Sequence, residues 1–197
     1  MKLSALKVLE LNDEHNLIGN LCDRSLNNPE GVAIDLRVGK VERIISDSFL
    51  GADGASRERY SSKTELVGDV EIDGNKAITM RPGEYYLVST MEVISSPEYK
   101  VKFDDGFPEA YLIPKILPRS SLQRGGVSLH VAATDPGYSG PLVFGMCNLG
   151  DQDFTFDLGA RMFIVEYEVV VGDIKRTYTG QHQGGRVTSQ GEKETQN

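Results

Sequence analysis

Arginines and serines converge at Arg119-Ser120-Ser121-Leu122-Gln123-Arg124, a set suited to an anion rich in oxygen acceptors. The planar five-donor guanidinium matches phosphate geometry, and short hydroxyls beside it add further donors. A surface arginine pair next to a serine turn is the plainer reading of the same residues. Asp135-Pro136-Gly137-Tyr138-Ser139-Gly140 begins 16 residues after Arg119. There proline fixes φ and glycine supplies a positive φ, which makes a tight turn. Such a turn exposes backbone groups that can read the edge of a base, and the Tyr138 ring could pack on a sugar. Gly180-Gln181-His182-Gln183-Gly184-Gly185-Arg186 combines three glycines, two glutamines and an arginine, letting backbone approach phosphates while side chains donate to them. A flexible tail is the competing reading. Tyr178, just before it, could stack on a base or a phosphate chain.

The histidines read less chemically. His182 fits a solvated loop, and His130 sits in the alternating stretch Val127-Ser128-Leu129-His130-Val131, where a structural role is the better assignment. No histidine or cysteine cluster has metal-ligand spacing. The expected ion is Mg²⁺ held through phosphates rather than by direct protein ligands, because it keeps several of its waters.

The elements that must position these residues follow a β pattern. From Gly31 onward, short β-branched or aromatic runs alternate with turn residues: VAIDLRV, KVERII, ELVGDVEI, KAITM and YYLVSTMEVI. Turn signals fall at Ile72-Asp73-Gly74-Asn75, Arg81-Pro82-Gly83-Glu84, Asp104-Asp105-Gly106 and Leu149-Gly150-Asp151. Residues 3–11 alternate weakly and suit either a short helix or an edge strand. Gly51 to Thr64 reads as a long surface loop. Glu166 and Glu168 alternate with apolar neighbours and are expected to face solvent. Residues 1–189 are expected to form one domain, with 190–197 a disordered tail.

Composition narrows the function classes. A formal net charge of −8 over 197 residues argues against a nucleic-acid surface, which needs a basic stripe. No apolar run approaches the roughly 18 residues that cross a bilayer, so no membrane partner is expected. The amino end lacks the apolar core of a secretory signal, so a cytoplasmic protein is expected. Cys22 and Cys147 are too few for a disulfide framework, Cys147 reads as buried, and neither is expected to do chemistry.

Several segments, in order, resemble the dUTPase/dCTP deaminase superfamily. Gly31 to Gly39 is similar to its first motif, which carries an acidic residue (here Asp35) in a strand near the subunit contact. Arg81-Pro82-Gly83-Glu84 through Thr90-Met91-Glu92 resembles a deaminase segment, Arg119 to Arg124 the arginine-serine-serine motif, Asp135 to Gly140 the hairpin after it, and Tyr178 to Arg186 the carboxyl-terminal phosphate motif. The resemblance implies a mostly β fold, a distorted jelly-roll or β-clip barrel, forming a homotrimer with shared active sites. It implies substrate contacts from Arg119, Ser120, Ser121, Arg124, Tyr138, Tyr178, Gln183 and Arg186. It also makes Asp135 the candidate catalytic residue, since the matching aspartate contacts the sugar and, in dUTPases, holds the attacking water.

The reaction turns on one position. In dCTP deaminases a glutamate stands at the fifth place after the hairpin's closing glycine, and counting from Gly140 that place is Gly145. A glycine cannot transfer a proton, and dUTPases are small or apolar there. The expectation is therefore a Mg²⁺-dependent dUTP diphosphatase giving dUMP and pyrophosphate. The alternatives are a dCTP deaminase whose acid comes from elsewhere, for example Glu109 or a neighbouring subunit, and a nucleotide-binding regulator without catalysis. Departures run both ways. The phenylalanine-containing glycine-rich end of dUTPases is absent, Gly159 to Ile164 keeps only Arg161 of their fourth motif, and the span from Arg119 to Asp135 is shorter than the deaminase pattern.

Overall fold

Ser4 accepts a hydrogen bond from the Lys7 amide (3.1 Å) and so caps α1 (Ala5–His15), which ends where Asn16 turns left-handed. Ala5, Val8 and Leu11 recur at helical spacing and are buried, which decides for helix over strand. β1 (Ile18–Gly19) and α2 (Asp23–Asn27) follow, then β2 (Ile34–Ile44), β3 (Phe49–Leu50), β4 (Arg57–Tyr60), β5 (Thr64–Asp69) and α3 (Val70–Asp73). The chain continues through β6 (Ala77–Met80), β7 (Tyr85–Ser95), β8 (Tyr111–Pro118), α4 (Ser120–Arg124), β9 (Val127–His130), β10 (Ser139–Asn148), β11 (Phe154–Asp157), β12 (Arg161–Val170) and β13 (Glu194–Gln196). This is a computed structural model, and it describes residues 1–52 and 57–196.

The main sheet runs β8-β12-β2-β7-β10-β9, with β1 on β7 and β5 on β2, all antiparallel. Its edges β8 and β9 approach one another, giving the expected mostly β, nearly closed barrel. Alternation fills the interior: Leu36 and Val38 from β2, Tyr86 and Val88 from β7, Phe144 and Met146 from β10, Phe163 and Val165 from β12. Phe144 meets Phe163 edge to face at 5.2 Å. Each such side chain stabilises the fold by about 1.5–3 kcal/mol relative to exposure. The opposite face of β10 carries Val143, Gly145 and Cys147, so Cys147 is half-buried rather than buried.

Five further expectations need correction. VAIDLRV and KVERII are one strand, β2, bent by a register shift between Val38 and Val41. The end of ELVGDVEI is not strand but α3, because Asp69 accepts from the Glu71 amide (3.0 Å) and starts a turn of helix. Glu166 is buried (6% exposed), since the amino-terminal residues lie along β12 and place Lys2 Nζ 2.5 Å from its carboxylate. The chain end is also placed: β13 pairs with β4, held by Lys193–Glu58 (2.8 Å) and Arg59–Glu194 (3.5 Å) ion pairs. The segment expected as a 51–64 loop supplies β4. Its residues 53–56 lie outside the described residues.

Candidate active site

The turn at Asp135 forms as its residue types dictate. The Tyr138 amide donates to the Asp135 carbonyl (3.2 Å), and Gly137, at φ +98°, donates to the Ser96 carbonyl (2.7 Å), tying the turn to the end of β7. The Tyr138 ring is buried and meets Tyr178 edge-on at 5.6 Å, while its hydroxyl donates to the Pro141 carbonyl (2.6 Å). Burial, with Tyr178 close by, pushes this phenol up to about 12, so it stays neutral.

The glycine-rich segment lies on this hairpin. A β-carbon on Gly140 would fall 2.6 Å from the Gly184 carbonyl carbon, so the two backbones meet without intervening side chains. Gln183 clasps the hairpin, donating to the Gly137 carbonyl (2.9 Å) and accepting from the Ser139 amide (3.3 Å). The Tyr178 amide donates to the Pro136 carbonyl (2.6 Å). Arg186 donates to the Thr188 carbonyl (3.1 Å) and pairs with Glu194 at 2.5 Å.

Between hairpin, tail and β10 lies a cavity of about 410 Å³, within the range of small-molecule sites. Leu87, Leu142, Val143, Phe144 and Gly145 line it with apolar groups, and Asp135, Tyr178, His182 and Arg186 with polar ones. A more polar cavity of about 510 Å³ adjoins it, sharing Asp135, Tyr178 and His182 and adding Arg59 and Arg176. Asp135 thus stands where the two meet. Among the described residues it makes no ion pair, and it is the carboxylate lining these cavities. Glu109 lines neither. Among the described residues, no group of three or more histidines, cysteines or carboxylates is arranged to hold a metal ion.

Arg119, Ser120, Ser121 and Arg124 are elsewhere. Leu122 anchors α4 in the core and leaves Ser120, Ser121 and Arg124 exposed. Arg119 donates to one Asp35 carboxylate oxygen (2.8 Å), Arg161 donates to the other (2.8 Å), and Arg24 lies 3.5 Å away. None of the α4 residues lines the Asp135 cavities. Of the expected site residues, the structure therefore gathers Asp135, Tyr138, Tyr178, Gln183 and Arg186 in one place and keeps Arg119, Ser120, Ser121 and Arg124 in another. Sequence reasoning missed Arg59, which lines the more polar cavity and whose loop offered no periodic signal. A β-carbon on Gly145 would fall 1.8 Å from the Tyr85 hydroxyl.

The barrel, with its hairpin and tail enclosing one cavity, defines a member of the dUTPase/dCTP deaminase superfamily. Within it, the chain belongs to the dCTP deaminase-like family, whose model matches residues 3–169. It is 29% identical over 158 residues to a dCTP deaminase of Idiomarina loihiensis, covering 77% of this chain and 75% of that one. It is 30% identical over 158 residues to a dCTP deaminase of Marinomonas sp., covering 75% and 73%. The crystal structure of 2'-deoxycytidine 5'-triphosphate deaminase from Agrobacterium tumefaciens has the same fold, with TM-score 0.57 and 16% identity; the match covers 86% of this chain and spans 48% of that one. No helix among the described residues is long and apolar enough to cross a membrane.

These relatives overturn the expectation of dUTP hydrolysis: they are named dCTP deaminases, not dUTP diphosphatases. The inference from Gly145 failed because a missing side chain removes one group of one mechanism and supplies no group of another.

Proposed function

We propose that the chain binds a pyrimidine deoxyribonucleoside triphosphate in the Asp135 cavity, and that the nucleotide is dCTP, converted to dUTP with release of ammonia. The observation that carries this is a cavity lined by apolar Leu87, Val143 and Phe144 together with Asp135 and Arg186, bounded by the Asp135–Gly140 hairpin and the Gly180–Arg186 segment. A flat base suits the apolar lining and phosphates the arginine. The sugar lies against Tyr138 and Tyr178. Deamination needs water delivered to the ring carbon that bears the amino group, and a group that moves a proton to the departing nitrogen. Asp135, unpaired at the junction of the cavities, orients the water.

Arg119, Ser120, Ser121 and Arg124 contact phosphates from a second copy of the chain, which is why one chain keeps them apart from Asp135. A homotrimer with shared sites satisfies that arrangement. Mg²⁺ arrives on the triphosphate. With a single cavity carboxylate the protein suits a hard ion that keeps most of its waters.

One observation favours a second reading, nucleotide binding without turnover: Gly145 offers no proton-transfer group to a base beside it. Incubation with dCTP, with and without Mg²⁺, read by ammonia release and by equilibrium binding, separates the two. Ammonia supports deamination, saturable binding without ammonia supports the second reading, and no nucleotide binding overturns both.

A further inference from the structure

Deamination makes a demand that Asp135 alone does not meet: protons must leave the attacking water and reach the departing nitrogen. Arginines aside, the titratable side chains lining the two cavities are Asp135, Tyr138, Tyr178 and His182. The Tyr138 hydroxyl is committed to the Pro141 carbonyl, and burial keeps it neutral. The Tyr178 hydroxyl accepts from the His182 amide (3.2 Å). Imidazole is the side-chain type suited to give and take protons near neutral pH.

Asp135, Tyr178 and His182 are the residues common to both cavities. The backbone explains why Asp135 and His182 share that boundary. The Tyr178 amide donates to the Pro136 carbonyl (2.6 Å), and Gln183 donates to the Gly137 carbonyl (2.9 Å). The loop is thereby tied, on both sides of His182, to the two residues that follow Asp135. His182 is half-buried there, not a solvated loop histidine. Its Nδ1 lies 3.0 Å from the Arg186 carbonyl oxygen. A carbonyl only accepts, so this contact puts a proton on Nδ1 and leaves Nε2 of the neutral ring as an acceptor. Nε2 has no partner among the described residues.

Resting on the deamination reading above, we propose that His182 is a catalytic residue, its Nε2 carrying protons between the water held by Asp135 and the departing amino group. Nε2 takes a proton from the water as the water oxygen bonds to the ring carbon. It passes that proton to the adjacent ring nitrogen, which receives the electron pair of the opened carbon–nitrogen double bond. Nε2 then takes the proton of the new hydroxyl and gives it to the amino nitrogen. The bond from carbon to that nitrogen breaks, its electron pair leaves with ammonia, and the carbonyl forms. The imidazole ends as it began, so a group on the tail does what Gly145 cannot.

Ammonia release from dCTP, with calorimetric titration of dCTP and of inorganic tripolyphosphate into the full chain, tests this. His182→Asn offers the Arg186 carbonyl an amide donor and removes the Nε2 acceptor. The expected result is a kcat lower by roughly 100- to 10,000-fold, with both affinities and the melting temperature unchanged. Free imidazole is expected to restore part of the rate to His182→Ala. An unchanged kcat in His182→Asn overturns the proposal and leaves deamination standing. A loss of tripolyphosphate affinity matching the loss of rate also overturns it, making His182 a phosphate contact instead. An unaltered chain that releases no ammonia from dCTP overturns the deamination reading itself, and the role of His182 falls with it.

Discussion

The Tyr85 hydroxyl and Gly145 occupy one space: the oxygen stands 1.8 Å from where a β-carbon on the glycine would be. Neither residue can be changed as though the other were absent, and an acid placed at 145 meets the phenol before it meets a ligand.

Gly145→Glu alone is accordingly expected to lose about 1–3 kcal/mol of stability through overpacking. Pairing it with Tyr85→Ala is expected to recover most of that loss. Thermal unfolding of the two variants beside the parent measures both. A single variant that melts with the parent would show that Tyr85 swings away at little cost.

Arg119→Ala is expected to weaken dCTP binding by about 10- to 100-fold, the range for one charged hydrogen-bonded contact. Because Arg119 lies outside the Asp135 cavities of its own chain, mixing Arg119→Ala with Asp135→Ala should restore some binding in mixed assemblies. Titration of each variant and of the mixture checks this. A mixture that binds no better than its components counts against sites shared between copies.

Gly140→Val puts a side chain where the Gly184 backbone now lies. The tail is expected to lift from the hairpin, exposing the chain beyond residue 172 to protease well before the barrel unfolds. Limited proteolysis with mass readout, alongside near-ultraviolet circular dichroism of the barrel, distinguishes local release from global loss.

Asp69, nearly buried at the end of β5, sets a pH dependence. Burial pushes its carboxyl up, but Lys40 at 2.9 Å and the Glu71 amide outweigh that and hold it below its ordinary value of 3.8. A carboxylate depressed in the folded state contributes stability above its unfolded value, and that contribution is lost as pH falls through the folded one. The melting temperature of Asp69→Asn should therefore lie below the parent's at neutral pH and converge on it below about pH 4. Melting curves across that range test the sign.

Local chemistry was the legible part of this chain. Pro136-Gly137 announced its turn, Gly180 to Arg186 announced a backbone able to lie against another, and alternation marked most strands. Barrel register was not legible. Tyr85 reaches Gly145 only because Cys147 pairs with Tyr85, a relation written in no local pattern. Glu166 alternates like a solvent-facing residue, yet Lys2 and Leu3 lie along β12 and bury it. β13 was unreadable for a similar reason. Three polar residues form a strand because Arg59, Glu58 and Ser61, far away in sequence, are waiting to pair with that segment. Arg119 stands 16 residues before Asp135 in the sequence, yet it lines neither Asp135 cavity and pairs with Asp35 instead.

Glu194 takes on a different meaning beside Thr195, which lines the more polar cavity. Its carboxylate sits between Arg186 and Arg59, so the tail brings its own anion to the arginine an incoming phosphate would need. On the nucleotide reading proposed above, an incoming phosphate takes the place of this carboxylate at Arg186, one negative group leaving as another arrives.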